Sequence, residues 1–308
     1  MLYFIIILSL FGIYFGAELL VTGSTLIAKK YNISNFIIGA IIVGVGTSMP
    51  EFVTSLIGTL NGNYDIAVGN VVGSNIFNIL GILGLTAIIA PVVISKNNIK
   101  FDVPFCIEVS FLLYFLVHNF FWNDLNKIDK YDGWVLLFLF TSYMWFSIAI
   151  KGEEAEDVHI ECKTWPNVLK IVFGLSILIF FCKLFVDKSV ILAKDFGVSD
   201  ATISLTLIAC GTSLPELAAS IVAAIKKNTQ LALGNIIGSN IFNITFILGI
   251  CSQFSTLSSP GITKFDYLVM ILAVCVPYAC YKMMKINRFI GFLMLCSFIA
   301  YTIYLLNV

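Results

Sequence analysis

Charge is scarce in this 308-residue chain: Asp, Glu, Lys and Arg together make up 12% of it, and 18 basic side chains balance 18 acidic ones. A chain without net charge has no basic surface to neutralise phosphates, so nucleic-acid binding is set aside. Histidine is rarer still. His118 and His159 stand alone, which argues against a histidine metal cluster. The eight cysteines (106, 162, 182, 210, 251, 275, 280 and 296) contain no Cys-x-x-Cys pair, and most lie in apolar runs where a thiol packs as a small hydrophobe. No Gly-x-x-x-x-Gly-Lys-[Ser/Thr] loop is present to cradle a nucleotide, so any uphill transport must draw on an ion gradient. Nor does a nucleophile stand beside a histidine or a carboxylate–metal cluster. The chain is not expected to be an enzyme or to hold a cofactor.

What fills the sequence instead is apolar: 59% of the residues are hydrophobic, and the mean hydropathy is +0.98. That composition belongs to integral membrane proteins. A span needs about 20 apolar residues, and ten can be laid out, over 3–28, 36–60, 66–90, 104–121, 133–150, 167–193, 200–225, 230–255, 265–283 and 289–306. The apolar start, Leu2–Leu10, lacks the basic flank of a secretory signal and reads as part of a retained first span. If the loop after that span is cytoplasmic, its side collects Lys29, Lys30, Lys96, Lys100, Lys151, Lys163, Lys170, Lys226, Lys227, Lys282, Lys285 and Arg288, while the other side holds Lys127, Lys130, Lys188, Lys194 and Lys264, with Lys183 deeper in a span. Both termini are then expected to be extracellular on a multi-pass protein of the cell membrane. The stretch 151–166, with Glu153, Glu154, Glu156, Asp157 and Glu161, reads as a solvated cytoplasmic linker between five-helix units at 1–150 and 167–308.

The two units share a sequence. Gly46-Thr47-Ser48-Met49-Pro50-Glu51 returns as Gly211-Thr212-Ser213-Leu214-Pro215-Glu216, and aligning residues 15–84 with 180–249 without gaps leaves 28 of 70 positions identical. Five spans per copy is an odd number, so the second copy must enter the membrane from the opposite face. The expected fold is an all-α membrane protein of ten transmembrane helices in two inverted five-helix repeats, broken at the repeated motifs.

An ionised carboxylate in hydrocarbon costs about 3 kcal/mol by insertion scales and persists only where something compensates it. Glu51 and Glu216 sit at matched positions, each framed by Thr-Ser and Pro. Pro50 and Pro215 cannot donate a backbone hydrogen bond and clash with the preceding turn, so each should break its helix and free carbonyls near Gly44 and Ala209. Thr47, Ser48, Thr212 and Ser213 add hydroxyl oxygens. Further along, Gly69-Asn70-Val71-Val72-Gly73-Ser74-Asn75-Ile76-Phe77-Asn78 returns as Gly234-Asn235-Ile236-Ile237-Gly238-Ser239-Asn240-Ile241-Phe242-Asn243. Ser74 and Asn78, like Ser239 and Asn243, share a helix face, which is expected to meet the broken helix of its own half. Gly69, Gly73, Gly234 and Gly238 have the spacing of closely packed membrane helices. Oxygen donors alone suit a hard cation such as Ca²⁺, which takes about 6–8 of them, better than zinc or copper. Glu18 and Glu108 are lone carboxylates within spans; Glu18 aligns with Lys183, and an ion pair between them is one structural role for both.

These paired blocks resemble the α-repeats of the Ca²⁺/cation antiporter superfamily, most closely its archaeal and bacterial Na⁺/Ca²⁺ exchanger branch, over both repeat cores and the ten-span plan. The resemblance implies a Ca²⁺ site between Glu51 and Glu216, with oxygens around Thr47 and Thr212. It also implies Na⁺ sites at Gly44, Thr47, Glu51 and Ser74 and at Ala209, Thr212, Glu216 and Ser239, with Asn78 and Asn243 at the centre. The K⁺-dependent branch carries Asp where Asn243 stands, so amides at both central positions argue against K⁺ co-transport. The proton-coupled branch has Gly-Asn-x-x-Glu in place of Gly-Thr-Ser-x-Pro-Glu, which sides this chain with sodium. Implied in sum is a monomeric secondary antiporter. It would exchange about three Na⁺ for one Ca²⁺ by alternating access, electrogenically, since two carboxylates of about −2 are cancelled by Ca²⁺ and exceeded by three Na⁺. A cation/H⁺ antiporter is the alternative reading, and a cation channel a more distant one.

Overall fold

The computed structural model describes residues 2–118, 127–150, 163–196 and 209–307. Helices account for nearly all of them: α1 (Leu2–Lys30), a bent pair α2 (Asn35–Thr47) and α3 (Met49–Leu60), α4 (Tyr64–Ile89) and α5 (Asn98–His118), then α6 (Lys130–Ile150) and α7 (Thr164–Asp195). After them come α8 (Leu214–Ile225), α9 (Thr229–Phe254), α10 (Lys264–Ala279) and α11 (Arg288–Asn307). Among the described residues eight helices are long and apolar enough to cross a membrane, and the bent pair brings the number to nine. The remaining expected span, 200–225, is described only as the turn Ala209–Gly211 and α8. Its first residues, like 151–162 of the expected linker 151–166, lie outside the described residues, and the last three linker positions, 164–166, instead begin α7.

The helices sort by how much of each is covered. In its most apolar stretch α9 is 94% buried, against 11% for α11, so α9 is the axis of the molecule and α11 part of its rim. Phe4, Phe11, Phe138 and Phe289 are exposed on that rim. Such side chains need no burial when lipid is the solvent, and a helix satisfies its own backbone polar groups there. One buried cluster joins α4, α5, α9 and α10 through Val71, Ile76, Leu113, Ile237, Leu248 and Tyr267. A second joins α1, α2, α7 and α8 through Leu20, Val21, Ile38, Leu178 and Ala219.

Helices α1 and α7 run antiparallel in close contact. A Cβ on Gly16 would stand 2.6 Å from the Leu178 nitrogen, and one on Gly174 2.6 Å from that of Leu20; toward the other end, Lys30 Nζ donates to Thr164 Oγ1 at 2.6 Å. With 29 and 32 residues, they are roughly 44 and 48 Å long, well beyond the ~30 Å hydrocarbon layer, and tilt is the ordinary accommodation. Their loops are not the only ties between distant parts. Strand β1 (Val92–Val93) pairs antiparallel with β4 (Lys285–Ile286), and β2 (Lys127–Ile128) with β3 (Leu257–Ser258). The two ribbons clamp opposite ends of α5, because β1 precedes that helix and β2 follows it.

The lone acid on α1 finds a different partner from the one suggested by alignment. Glu18 Oε1 accepts from Lys226 Nζ at 3.2 Å, and the same ammonium donates to Thr22 Oγ1 at 2.6 Å. The physical reason is the antiparallel seam: it places glycines between α1 and α7, while the face of α1 carrying Glu18 and Thr22 turns to the end of α8.

Candidate functional site

Proline decides where the chain breaks. The α2–α3 pair is bent by 44° at Ser48, and Pro50 stands in the first turn of α3, where a missing N–H costs no intrahelical bond. Pro215 has the same place in α8. Glu51 and Glu216 therefore fall in the first turns of two helices, where the unpaired N–H groups carry partial positive charge that favours a carboxylate. Both are fully buried.

The halves then hold one another's acids. Ser48 Oγ donates to Glu216 Oε1 at 2.7 Å, and Ser213 Oγ to Glu51 Oε1 at 2.7 Å. Two asparagines support the same corners. Asn70 Nδ2 donates to the main-chain oxygen of Glu51 at 3.1 Å and to Ser55 Oγ at 3.0 Å; Asn235 repeats this with Glu216 at 3.2 Å and Ser220 at 2.9 Å. Their Oδ1 atoms reach across to the opposite half, Thr47 Oγ1 donating to Asn235 at 3.2 Å and Thr212 Oγ1 to Asn70 at 3.3 Å. Neither Asn70 nor Asn235 was among the candidates read from the sequence, although each is the second residue of a duplicated motif, and that duplication was the signal.

Two local expectations are corrected. The Gly44 carbonyl is not freed: it accepts from the Ser48 N–H at 3.0 Å and lies 3.3 Å from the hydroxyls of Thr47 and Ser239. The break falls at Ser48, so the turn reaching back to Gly44 still closes. The Asn235–Ser239 face of α9 does not meet only its own half, because Thr47 and Gly44 on α2 touch it directly. Gly234 and Gly238 make this approach: a Cβ on Gly234 would run into the Phe36 carbonyl, and one on Gly238 would lie 2.5 Å from Ala40 Cα. The matching segment of the other half, 201–208, lies outside the described residues.

Asn78 and Asn243 come from widened turns. Asn78 lies in a π-helical stretch, Phe77–Leu83, and Asn243 begins another, Asn243–Ile247; such widened turns re-aim side chains and recur at functional sites. Glu51 Oε2, Glu216 Oε2, Asn78 Oδ1, Asn243 Oδ1 and Ser74 Oγ are buried with no hydrogen-bond partner. Buried acceptors are normally paired, and four of these five form two matched pairs, one member from each half. What they share is the capacity to donate lone pairs from oxygen. Among the described residues no group of three or more His, Cys, Asp or Glu could hold a metal, so this mixed carboxylate–amide–hydroxyl set suits hard cations rather than zinc. Ala209 opens the turn before α8.

A cavity of 390 Å³ opens beside the two helix starts, lined by Pro50, Val53, Cys182, Lys183, Thr212 and Pro215. It makes the two halves unequal. Thr212 is half-buried on the cavity wall, whereas its counterpart Thr47 is fully buried.

A family model described as sodium/calcium exchanger protein matches residues 1–149 and 167–307. The chain is 36% identical over 297 residues to an uncharacterized membrane protein of Methanocaldococcus jannaschii, covering 95% of this chain and 94% of that one. It is 27% identical over 342 residues to the sodium/calcium exchanger MaX1 of Methanosarcina acetivorans, with 98% of each covered. Among solved structures, that of the sodium-calcium exchanger NCX_Mj soaked with zero Na⁺ and Ca²⁺ is similar at a TM-score of 0.87 and 32% identity, covering 99% of this chain and 98% of that one.

Proposed function

The chain belongs to the sodium/calcium exchanger family, and from that premise we propose that it is a secondary antiporter, not an enzyme, exchanging Na⁺ for Ca²⁺ across the cell membrane at one site shared by its halves. The carrying observation is the crosswise hold on Glu51 and Glu216, each with one oxygen bonded by the other half's serine and one left without a partner. Ca²⁺ takes those two oxygens with Asn78, Asn243 and the hydroxyls around Thr47 and Thr212; Na⁺ occupies overlapping positions that add Ser74 and Ser239, with Ala209, Ser48 and Ser213 at the margins. Two carboxylates of about −2 bind one Ca²⁺ neutrally, whereas about three Na⁺ leave a surplus positive charge, so the ions exclude one another. Moving that surplus across the membrane is worth about 2.3 kcal/mol per 100 mV, which favours Ca²⁺ export at a negative-inside potential.

The fold is read as ten spans in two inverted five-helix repeats, 1–150 and 167–308, joined by a cytoplasmic linker, with both termini outside and one chain as the working unit. Antiparallel α1 and α7, and the reciprocal bonds at an offset of 165 residues, support this reading. Uptake of ⁴⁵Ca²⁺ into Na⁺-loaded vesicles tests it. Uptake is expected from Na⁺-loaded vesicles and not from K⁺-loaded or acid-loaded ones; acid-driven uptake would instead mark a cation/H⁺ antiporter, and flux independent of the trans ion a channel.

Access alternates as α1 and α7 move against the rest. The cavity opens beside the start of α8, while Lys226, just past its end and roughly 18 Å away along the helix, ties α1 down through Glu18 and Thr22. Asn228 adds a bond to Thr25 at 3.1 Å. On the proposed orientation the cavity lies on the outer side and the Lys226 latch on the inner. Half-exposed ion pairs are worth about 0.2–1 kcal/mol, so Glu18→Gln should shift the balance only modestly. Expected is a slower labelling of Val53→Cys by an external thiol reagent, by no more than about fivefold; unchanged or faster labelling would remove the latch from the mechanism.

A further inference from the structure

At the core of the molecule, Asn75 and Asn240 clasp one another across the two halves. Asn75 Nδ2 donates to the main-chain oxygen of Asn240 at 3.2 Å, and Asn240 Nδ2 to that of Asn75 at 3.2 Å. A main-chain carbonyl can only accept, so each amide must present its NH₂ to the other's backbone. The orientation of the outer pair follows from this. Asn75 Oδ1 faces Asn243 Nδ2 at 3.1 Å, and Asn240 Oδ1 faces Asn78 Nδ2 at 3.0 Å. An amide oxygen also only accepts, which obliges Asn243 and Asn78 to turn their NH₂ groups inward to the clasp. Their own Oδ1 atoms are thereby directed away from it, and these are two of the buried oxygens without partners. All four asparagines are at most 2% exposed, so bulk water offers no competing partner.

We propose that Asn75 and Asn240 are positioning residues: their clasp locks the amides of Asn243 and Asn78 so that the transported cations meet two carbonyl oxygens and no NH₂ group. The proposal rests on the central-site reading above. Asn75 and Asn240 spend both ends of their side chains within the clasp and are not themselves ligands. Without them, either outer amide can rotate by half a turn at little steric cost, since oxygen and NH₂ are nearly the same size. A rotated amide presents partial positive charge to the ion.

A double-mutant cycle separates this role from simple packing. Equilibrium ⁴⁵Ca²⁺ binding would be measured in Na⁺-free buffer on detergent-purified, monodisperse parent, Asn243→Leu, Asn75→Leu and the double variant. Asn243→Leu is expected to weaken binding about tenfold and Asn75→Leu by roughly three- to tenfold, with the double variant no weaker than Asn243→Leu alone. Losses that multiply in the double variant, or an Asn75→Leu protein that binds like the parent, would overturn the positioning role. If Asn243→Leu itself binds like the parent, it is the central-site reading that fails. The Asn240→Leu and Asn78→Leu pair repeats the cycle on the other side. Should neither Asn75→Leu nor Asn240→Leu give a folded protein, the clasp is an assembly element and the proposal is lost.

Discussion

Glu51→Gln and Glu216→Gln are each expected to abolish Na⁺-driven ⁴⁵Ca²⁺ uptake, by at least about a hundredfold, in protein that still inserts and keeps its helical signal. Glutamine keeps the shape of the side chain and the acceptor oxygen that Ser213 or Ser48 bonds at 2.7 Å, so the packing around the substitution survives. What is lost is charge. At about 2.4 Å from a divalent ion, one carboxylate contributes on the order of 10 kcal/mol of gross attraction even at an effective dielectric of 20. Dehydration of the ion offsets most of that, and the remainder decides whether Ca²⁺ leaves water at all. Because each acid is held by the opposite half, the two substitutions should fail alike. Uptake retained by either variant would mean that the acids do not share one site.

Gly238→Val is expected to act by another route, on assembly. A Cβ at this position would stand 2.5 Å from Ala40 Cα and O and 2.8 Å from its Cβ. The contact is with backbone, so no rotamer change relieves it, and the cost should reach or exceed the ~1–3 kcal/mol typical of an overpacked core. Separating α9 from α2 also parts Thr47 from Asn235, now 3.2 Å, and Ser239 from Gly44, now 3.3 Å. A thermal midpoint lowered by several degrees in detergent, together with lost exchange, is the expected outcome, and Gly238→Ala should show a smaller form of both. A Gly238→Val protein with parental stability and flux would show that the close approach of α2 and α9 is dispensable.

The chain's local chemistry was legible because it depends on neighbours in sequence. Proline at positions 50 and 215 dictates a helix start wherever the rest of the chain goes, and a start there puts Glu51 and Glu216 in a first turn. The apolar runs announced spans, and their duplication announced a common plan. Contacts between residues more than a hundred positions apart carried no such signal. Alignment pointed from Glu18 to Lys183, yet Lys226 is its partner, and the asparagines at 70, 75, 235 and 240 repeat with their motif but acquire cross-half partners only when the halves are set together.

Residue type and short-range spacing thus settled that this is a membrane-spanning, twice-repeated chain with buried acids at broken helices, since hydropathy and backbone stereochemistry act within a turn or two. Only the tertiary structure decided which serine holds which acid and how the four central amides face. Those outcomes depend on how closely α2, α9, α1 and α7 approach, and a hydrogen bond at 3 Å exists or vanishes with a shift of a single ångström.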